Sequence, residues 1–248
     1  MPWSGRRTNE APQRGRFLKT IGLIGGMSWE STVPYYRIIN ETIKSRLGGL
    51  HSARIVLYSF DFHEIEELQR SGDWDAAARM LADAARSIEA AGAECIVLCT
   101  NTMHKVASRI EAAVSLPLLH IADPTGAEIR KAGCSKVGLL GTKFTMEQSF
   151  YREILEQRFG LGVIVPPEMD RALVHRVIYE ELCLGVISGG SRTEYRRIME
   201  NLAAQGAQAI ILGCTEISLL VGPQDSPVPL FDTTAIHGRA AAEFALAA

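Results

Sequence analysis

Two residues of this 248-residue chain have the chemistry and the placement to move protons in a shared cleft: Cys214, in the segment GCTEIS, and Thr100, in CTNTMH. A thiol exchanges protons near neutral pH once a helix N-terminus or a cation lowers its pKa. A threonine hydroxyl can pass or donate a proton but is a poor base unless strongly activated. Each residue directly follows an apolar run of strand length, CIVLC before Thr100 and AIILG before Cys214. Ligands of open parallel sheets bind beyond the carboxyl ends of the strands, so both positions are expected to face a ligand.

The two runs are related by an internal repeat. IGLIGGMS from Ile21 matches VGLLGTKF from Val137, 116 residues later. AGAECIVLCTNT from Ala91 matches QGAQAIILGCTE from Gln205 at an offset of 114, and PLLHI from Pro117 matches PLFDT from Pro229 at an offset of 112. Three matches in one order and nearly one register point to a duplicated unit, and the alignment places Thr100 on Cys214. Two lobes related by an approximate twofold follow, with these residues on opposite walls of one cleft.

The elements that must hold them read as β-α units. Strands are expected at Thr20–Ile24, Arg54–Ser59, Glu94–Leu98, Leu116–His120, Lys136–Leu140, Gly162–Val165, Ala209–Leu212 and Val228–Phe231. Helices are expected over Asp73–Ala91, with Trp74, Ala77, Leu81, Ala84, Ala85 and Ile88 on one stripe, and over Thr145–Phe159, Glu168–Leu184 and Thr193–Ala204. Each is followed by a glycine able to end it. The class is α/β: two similar lobes with parallel sheets flanked by helices, related by a pseudo-twofold, with the active site in the cleft between them. The expected division is a flexible extension over 1–17, a first lobe over 18–118 plus 230–248, and a second lobe over 119–229.

Composition narrows the function classes. With 26 Lys and Arg against 28 Asp and Glu, no broad basic field exists to hold nucleic acid or an anionic membrane. A small-molecule partner is expected instead. Residues 1–17 lack the apolar core of a secretory signal, and no apolar run approaches the roughly 20 residues that cross a bilayer, so a cytoplasmic protein is expected. The five cysteines have scattered spacing without zinc-type C-x-x-C pairs, and are expected to be reduced thiols that bind no metal.

Familiar catalytic signatures are missing. Gly22, Gly25 and Gly26 do not form G-x-G-x-x-G, no G-K-[ST] loop occurs, and GGMSWES is not G-x-S-x-G. The turn Gly25–Gly26–Met27–Ser28 either aims amides at a ligand, with Ser28 capping the next helix, or is purely structural.

Taken together, IGLIGGMSWEST, LCTNTMHK and LGCTEI resemble the aspartate/glutamate racemase superfamily, specifically its amino-acid racemase branch, over nearly the whole chain after residue 17. The resemblance implies a mechanism without pyridoxal phosphate, other cofactor or metal. Two residues flank the substrate Cα, one removing its proton and the other returning one to the opposite face. Most of the family carries cysteine at both positions, whereas this chain has Thr100 at the first. Cys214 is therefore the expected principal base and Thr100 the weaker, opposing acid. Cys99, pointing the other way along an extended strand, is expected to face the sheet interior.

The same resemblance implies substrate binding by Asn101, Thr102, Thr142 and Thr215, with Met27 and Gln69 as wall residues. Gly25, Gly26, His104 and Glu216 are assigned supporting roles: Glu216 orients the loop or caps its helix, and His104 either tunes the site or makes a structural hydrogen bond. Acidic amino acids, aspartate or glutamate, are the expected substrates, with Lys105, Lys143, Arg152 and Arg171 as the cations that could read a side-chain carboxylate. A broader amino-acid range is the near alternative. A homodimer is implied by the resemblance alone. The rival readings are a one-cysteine arylmalonate-type decarboxylase of the same superfamily and a non-catalytic amino-acid-binding sensor.

Overall fold

A computed structural model describes residues 18–247 of the chain; the expected extension over 1–17 lies outside the described residues. The first lobe is built from β1 (Thr20–Gly25), α1 (Trp29–Leu47), β2 (Arg54–Ser59), α2 (Phe62–Ser71), α3 (Trp74–Ala90), β3 (Cys95–Leu98), α4 (Ala107–Glu111) and β4 (Leu118–Leu119). The chain continues through α5 (Ala122–Lys131), β5 (Lys136–Gly141), α6 (Lys143–Glu147), α7 (Ser149–Phe159), β6 (Gly162–Ile164), α8 (Glu168–Glu180), α9 (Gly189–Ala204), β7 (Ala209–Gly213), α10 (Ile217–Leu220), β8 (Leu230–Asp232) and α11 (Thr233–Leu246).

The strands form two four-stranded parallel sheets of the same order, β2-β1-β3-β4 and β6-β5-β7-β8. The matched segments occupy equivalent strands: β1 with β5, β3 with β7, β4 with β8. Even the matched glycines do the same work. A Cβ on Gly22 would stand 2.2 Å from the Ile88 side chain, and one on Gly138 would stand 2.7 Å from Ile210 and 3.0 Å from Leu202. Both glycines let a helix, α3 or α9, settle directly on the central strand.

Each sheet is covered on both faces. The alanine stripe of α3 packs with Ile24, Ile96 and Leu98, and the opposite face holds Ile21, Leu23, Val97 and Cys99. In the second lobe Leu140, Ile210 and Leu212 face α8 and α9, and Val137, Leu139 and Ile211 face Tyr151 and Leu155. The last helix, α11, places Ala241, Ala242 and Ala245 against Tyr35, Ile39 and Ile43 of α1, so the chain returns to the first lobe.

Some boundaries depart from the sequence expectations. The lobe limit drawn at 118/119 cuts through β4, and that at 229/230 puts β8 in the first lobe; the pairing of Leu119 with Val97 and of Leu230–Asp232 with β7 keeps each strand with its own sheet. The helix expected over 145–159 is two helices, because Gln148 is extended (φ −92°, ψ 154°). The helix expected over 168–184 stops at Glu180, where Glu181 leaves helical geometry and a tight 3-10 turn, Leu182–Leu184, ends at left-handed Gly185. Among the described residues, no helix is long and apolar enough to cross a membrane.

Candidate active site

The carboxyl ends of β3 and β7 open onto one narrow cavity whose free space is about 20 Å³, room for about one water. Met27, Gln69, Thr100 and Thr102 line it from the first lobe, and Thr142, Cys183, Cys214 and Glu216 from the second, with Phe62, Ile178 and Tyr179 as apolar wall. Larger hollows exist, such as one of about 390 Å³ on the outer side of α3, but that one is lined by alanines and the surface residues Arg79, Asp83, Arg86 and Arg109. Size therefore does not select the site; convergence of buried reactive groups from both lobes does.

Thr100 and Cys214 both line this cavity and are almost fully buried, at 7% and 8% exposure. Cys99 is wholly buried on the other side of β3, where burial pushes its thiol pKa far up. Cys214 donates its thiol proton to Glu216 Oε2 at 2.9 Å. Burial first, and then the charge of Glu216, raise its pKa well above that of an ordinary thiol. In the ligand-free cavity the thiol therefore keeps its proton.

Glu216 is the junction of the site. Its carboxylate also accepts from the Thr215 hydroxyl at 2.7 Å, and, across the cleft, from the Ser28 hydroxyl at 2.9 Å and the Ser28 amide at 3.4 Å. All these partners are neutral. Ser28 occupies the N-cap position of α1, but its hydroxyl makes no cap hydrogen bond there and is spent on Glu216 instead.

Thr100 is held differently. Its carbonyl accepts from His104 Nδ1 at 2.8 Å, and because His104 Nε2 accepts the Ile121 amide at 3.2 Å, the proton of this imidazole is on Nδ1. His104 belongs to a buried group of imidazoles, 4.4 Å from the His120 ring and 5.9 Å from that of His237. His237 donates through Nε2 to the Leu119 carbonyl at 2.7 Å and accepts from the Tyr35 hydroxyl at 2.9 Å. Burial holds His120 and His237 down to about 4 and His104 well below the usual histidine range, so the group is neutral near pH 7.

Three further contacts join the lobes. The Thr102 and Thr142 hydroxyls share a hydrogen bond of 2.9 Å. The Tyr179 hydroxyl donates to Gln69 Oε1 at 2.7 Å, while Gln69 Nε2 donates to Met103 Sδ at 3.1 Å. Asn101 Nδ2 donates to Thr233 Oγ1, which donates to the Leu212 carbonyl. Over the mouth, Phe62 stacks on Tyr179 at 6.3 Å and Trp74 meets Phe144 edge-on at 5.1 Å.

Several residues expected to bind substrate do not line the cavity. Asn101 and Thr215 are buried and turned to Thr233 and Glu216. Gly25 and Gly26 also stay behind it: the Gly26 amide donates to Thr32 Oγ1, and the Gly25 carbonyl accepts from Phe60. Gly26 is required by its φ of 80° and by the Phe60 backbone, 2.3 Å from where a Cβ would stand. None of Lys105, Lys143, Arg152 and Arg171 lines the cavity; Lys105 lies over the Trp74 ring at 3.9 Å, and Arg171 pairs with Glu147.

Sequence reasoning missed Phe62, Ile178, Tyr179 and Cys183 as lining residues and Ser28 as a partner of Glu216. The helix and turn that carry Ile178, Tyr179 and Cys183 have no counterpart among the repeated segments. Among the described residues, no group of three or more His, Cys, Asp or Glu side chains is placed to hold a metal ion.

Comparison with known proteins agrees with this architecture. Residues 24–241 match the family model for Asp/Glu/Hydantoin racemase. The chain is 63% identical to a candidate Asp/Glu racemase from Yersinia pestis, with a TM-score of 0.86 over 93% of this chain and 100% of that one. It is 36% identical to an aspartate racemase homologue from Pyrococcus horikoshii OT3, with a TM-score of 0.78 over 92% and 99% of the two chains. A broad specificity amino-acid racemase, RacX, from Bacillus subtilis strain 168 is 25% identical over 87% of this chain and 93% of its own length. The chain belongs to the Asp/Glu/hydantoin racemase family, and is thereby an isomerase of the racemase class.

Proposed function

We propose that the protein racemises amino acids, with Cys214 taking or giving the Cα proton on one face and Thr100, with its hydrogen-bonded surroundings, on the other. The observation that carries this reading is the convergence of a thiol and a hydroxyl, from equivalent positions of two repeated units, on one small buried cavity. Among the described residues Glu216 is the sole charged lining residue, and its hydrogen-bond partners there are all neutral. An α-ammonium group supplies the missing countercharge, and its arrival offsets the effect of Glu216 on Cys214, easing thiolate formation when substrate is present. The hydroxyls of Thr102 and Thr142 are positioned for the α-carboxylate once their mutual hydrogen bond is exchanged for the ligand.

Cys214 as thiolate then removes the proton of one enantiomer, L in this reading, and the Thr100 side reprotonates the planar carbanion from the opposite face. Enantiomers are equally stable in water, so kcat/KM is equal in both directions; the unlike pair shows itself in unequal kcat and KM taken separately, and in a slow return to the starting protonation state.

Aspartate and glutamate are the proposed substrates. Arg70 and Arg176 line a neighbouring hollow that shares Gln69 and Tyr179 with the cavity. Among the described residues no Lys or Arg lines the cavity itself, which favours, as a second reading, a wider amino-acid range. Chiral chromatography of reactions with both enantiomers of aspartate, glutamate and a panel of neutral and basic amino acids separates the two. Turnover restricted to the acidic pair supports the first and turnover across the panel the second. Inversion of none of them, by a folded protein, sinks both.

A further inference from the structure

The cavity that holds Thr100 and Cys214 has room for about one water, so an amino acid reaches these residues only if part of the lining moves. Gln69 and Tyr179 are lining residues that face two spaces. They line the cavity on one side and, on the other, a hollow with about 510 Å³ of free space, ample for an amino acid. Their side chains meet in a hydrogen bond of 2.7 Å that joins the lobes, so this bond stands between the large hollow and the small cavity. Tyr179 also packs on Phe62 and on His175, whose ring centre lies 4.7 Å from its own.

The hollow lies between α2 and α8, and it carries charges of both signs. Glu66 and Arg70 come from α2, Arg176 and Glu180 from α8. Arg70 meets Glu66 and Glu67 only at 3.8 and 3.9 Å. Among the described residues, Arg176 and Glu180 make no ion pair within 4.0 Å. Guanidinia held this loosely can turn to a carboxylate, and the two glutamates to an ammonium group. An acidic amino acid presents both kinds of charge, whereas the inner cavity has no cation among its described lining residues.

We propose that this hollow is an outer binding site, where Arg176 and Arg70 take the carboxylates of an acidic amino acid before the Gln69–Tyr179 bond opens and admits it to the cavity. The outer site rests on the reading of the cavity as an amino-acid site. Acidic side chains are then selected outside, and the inner cavity needs no cation of its own. Entry exchanges one hydrogen bond between the lobes, and no covalent bond changes. Arg176 and Arg70 act on capture and not on the reacting Cα.

Alkylation of Cys214 by two reagents of similar shape, iodoacetate and iodoacetamide, tests the outer site without turnover. Both attack the same thiolate, so the ratio of their rates at Cys214, mapped by mass spectrometry, is independent of the thiol pKa. Arg176→Gln is expected to lower the iodoacetate-to-iodoacetamide ratio about threefold, and the double variant with Arg70→Gln about tenfold, the scale of one and two exposed charge contacts. Arg152→Gln, on α7 outside the hollow, leaves the ratio unchanged. For aspartate and glutamate kcat/KM falls by the same factors, through KM. Tyr179→Phe removes the bond between the lobes and keeps the ring, so the rate with the bulkier N-ethylmaleimide relative to iodoacetamide should rise about fivefold. An iodoacetate ratio unmoved in the double variant, or moved equally by Arg152→Gln, overturns the outer site, and an unmoved maleimide ratio overturns the passage from it. Failure of the underlying reading looks different: the iodoacetate ratio falls as expected while wild-type enzyme inverts no acidic amino acid.

Discussion

The two walls of the cleft have the same backbone and opposite chemistry. β3 and β7 occupy the same place in sheets of the same order, and Thr100, two residues past β3, and Cys214, directly after β7, line the cavity. Cys214 is held through its side chain, by a carboxylate that gathers donors from both lobes. Thr100 is held through its backbone carbonyl, by a neutral imidazole within a buried histidine group. Duplication fixes where the residue beyond the strand stands; the layer behind it decides how acidic or basic its side chain can be.

Four perturbations test this contrast, in order of expected effect. Cys214→Ser removes the thiol from the stronger wall and is expected to lower kcat/KM by about 10³–10⁴, measured as formation of the opposite enantiomer. An effect below about tenfold would mean that another group is the base.

Glu216→Gln keeps the shape of the junction and removes its charge. Activity should fall about 10²-fold. At the same time, the pH dependence of Cys214 alkylation in the ligand-free protein should move to lower pH, because the charge of Glu216 is one of the causes raising that pKa. A shift to higher pH, or none, contradicts the assigned role.

Thr100→Cys makes the walls alike. The difference between kcat for L and for D should narrow by about tenfold, the scale of one improved general acid–base contact. Unchanged asymmetry would place its origin in substrate binding.

The smallest effect is on stability and belongs to the Thr100 wall. His120 and His237 have pKa values of about 4 in the folded chain, below the 6.5 of an exposed imidazole. As pH falls below 6.5 the unfolded chain takes up protons that the folded chain refuses, so stability is lost between 6.5 and about 4. His237, fully buried, accounts for roughly 3 kcal/mol of that loss at pH 4. Urea midpoints at pH 7.0 and 4.5 measure it, and His237→Gln should reduce the difference. Equal midpoints would show that these histidines are not neutral in the fold.

Much of this was legible in the sequence for identifiable reasons. The repeat carried the two similar lobes, the pairing of Thr100 with Cys214 and the cleft between lobes, because strand and turn residues are constrained locally. Cys183 and Tyr179 were illegible because their position depends on where α8 stops. Glu181 breaks that helix three residues before the sequence pattern ends. Asn101 and Thr215 were read as ligands from their motifs. In the ligand-free chain their side chains bond to Thr233 and Glu216, contacts that depend on Thr233 and Ser28, far away in sequence.

The central claim is that the two walls are unequal proton-transfer groups acting on one Cα. Its most direct measurement is Cα deuterium uptake from D2O, followed by NMR from pure L- and pure D-substrate, in wild type and in Cys214→Ser. The account predicts uptake from both enantiomers that is lost with Cys214, with different maximal rates for L and D. Uptake that survives the loss of Cys214, or that runs at one rate from either enantiomer, would contradict it.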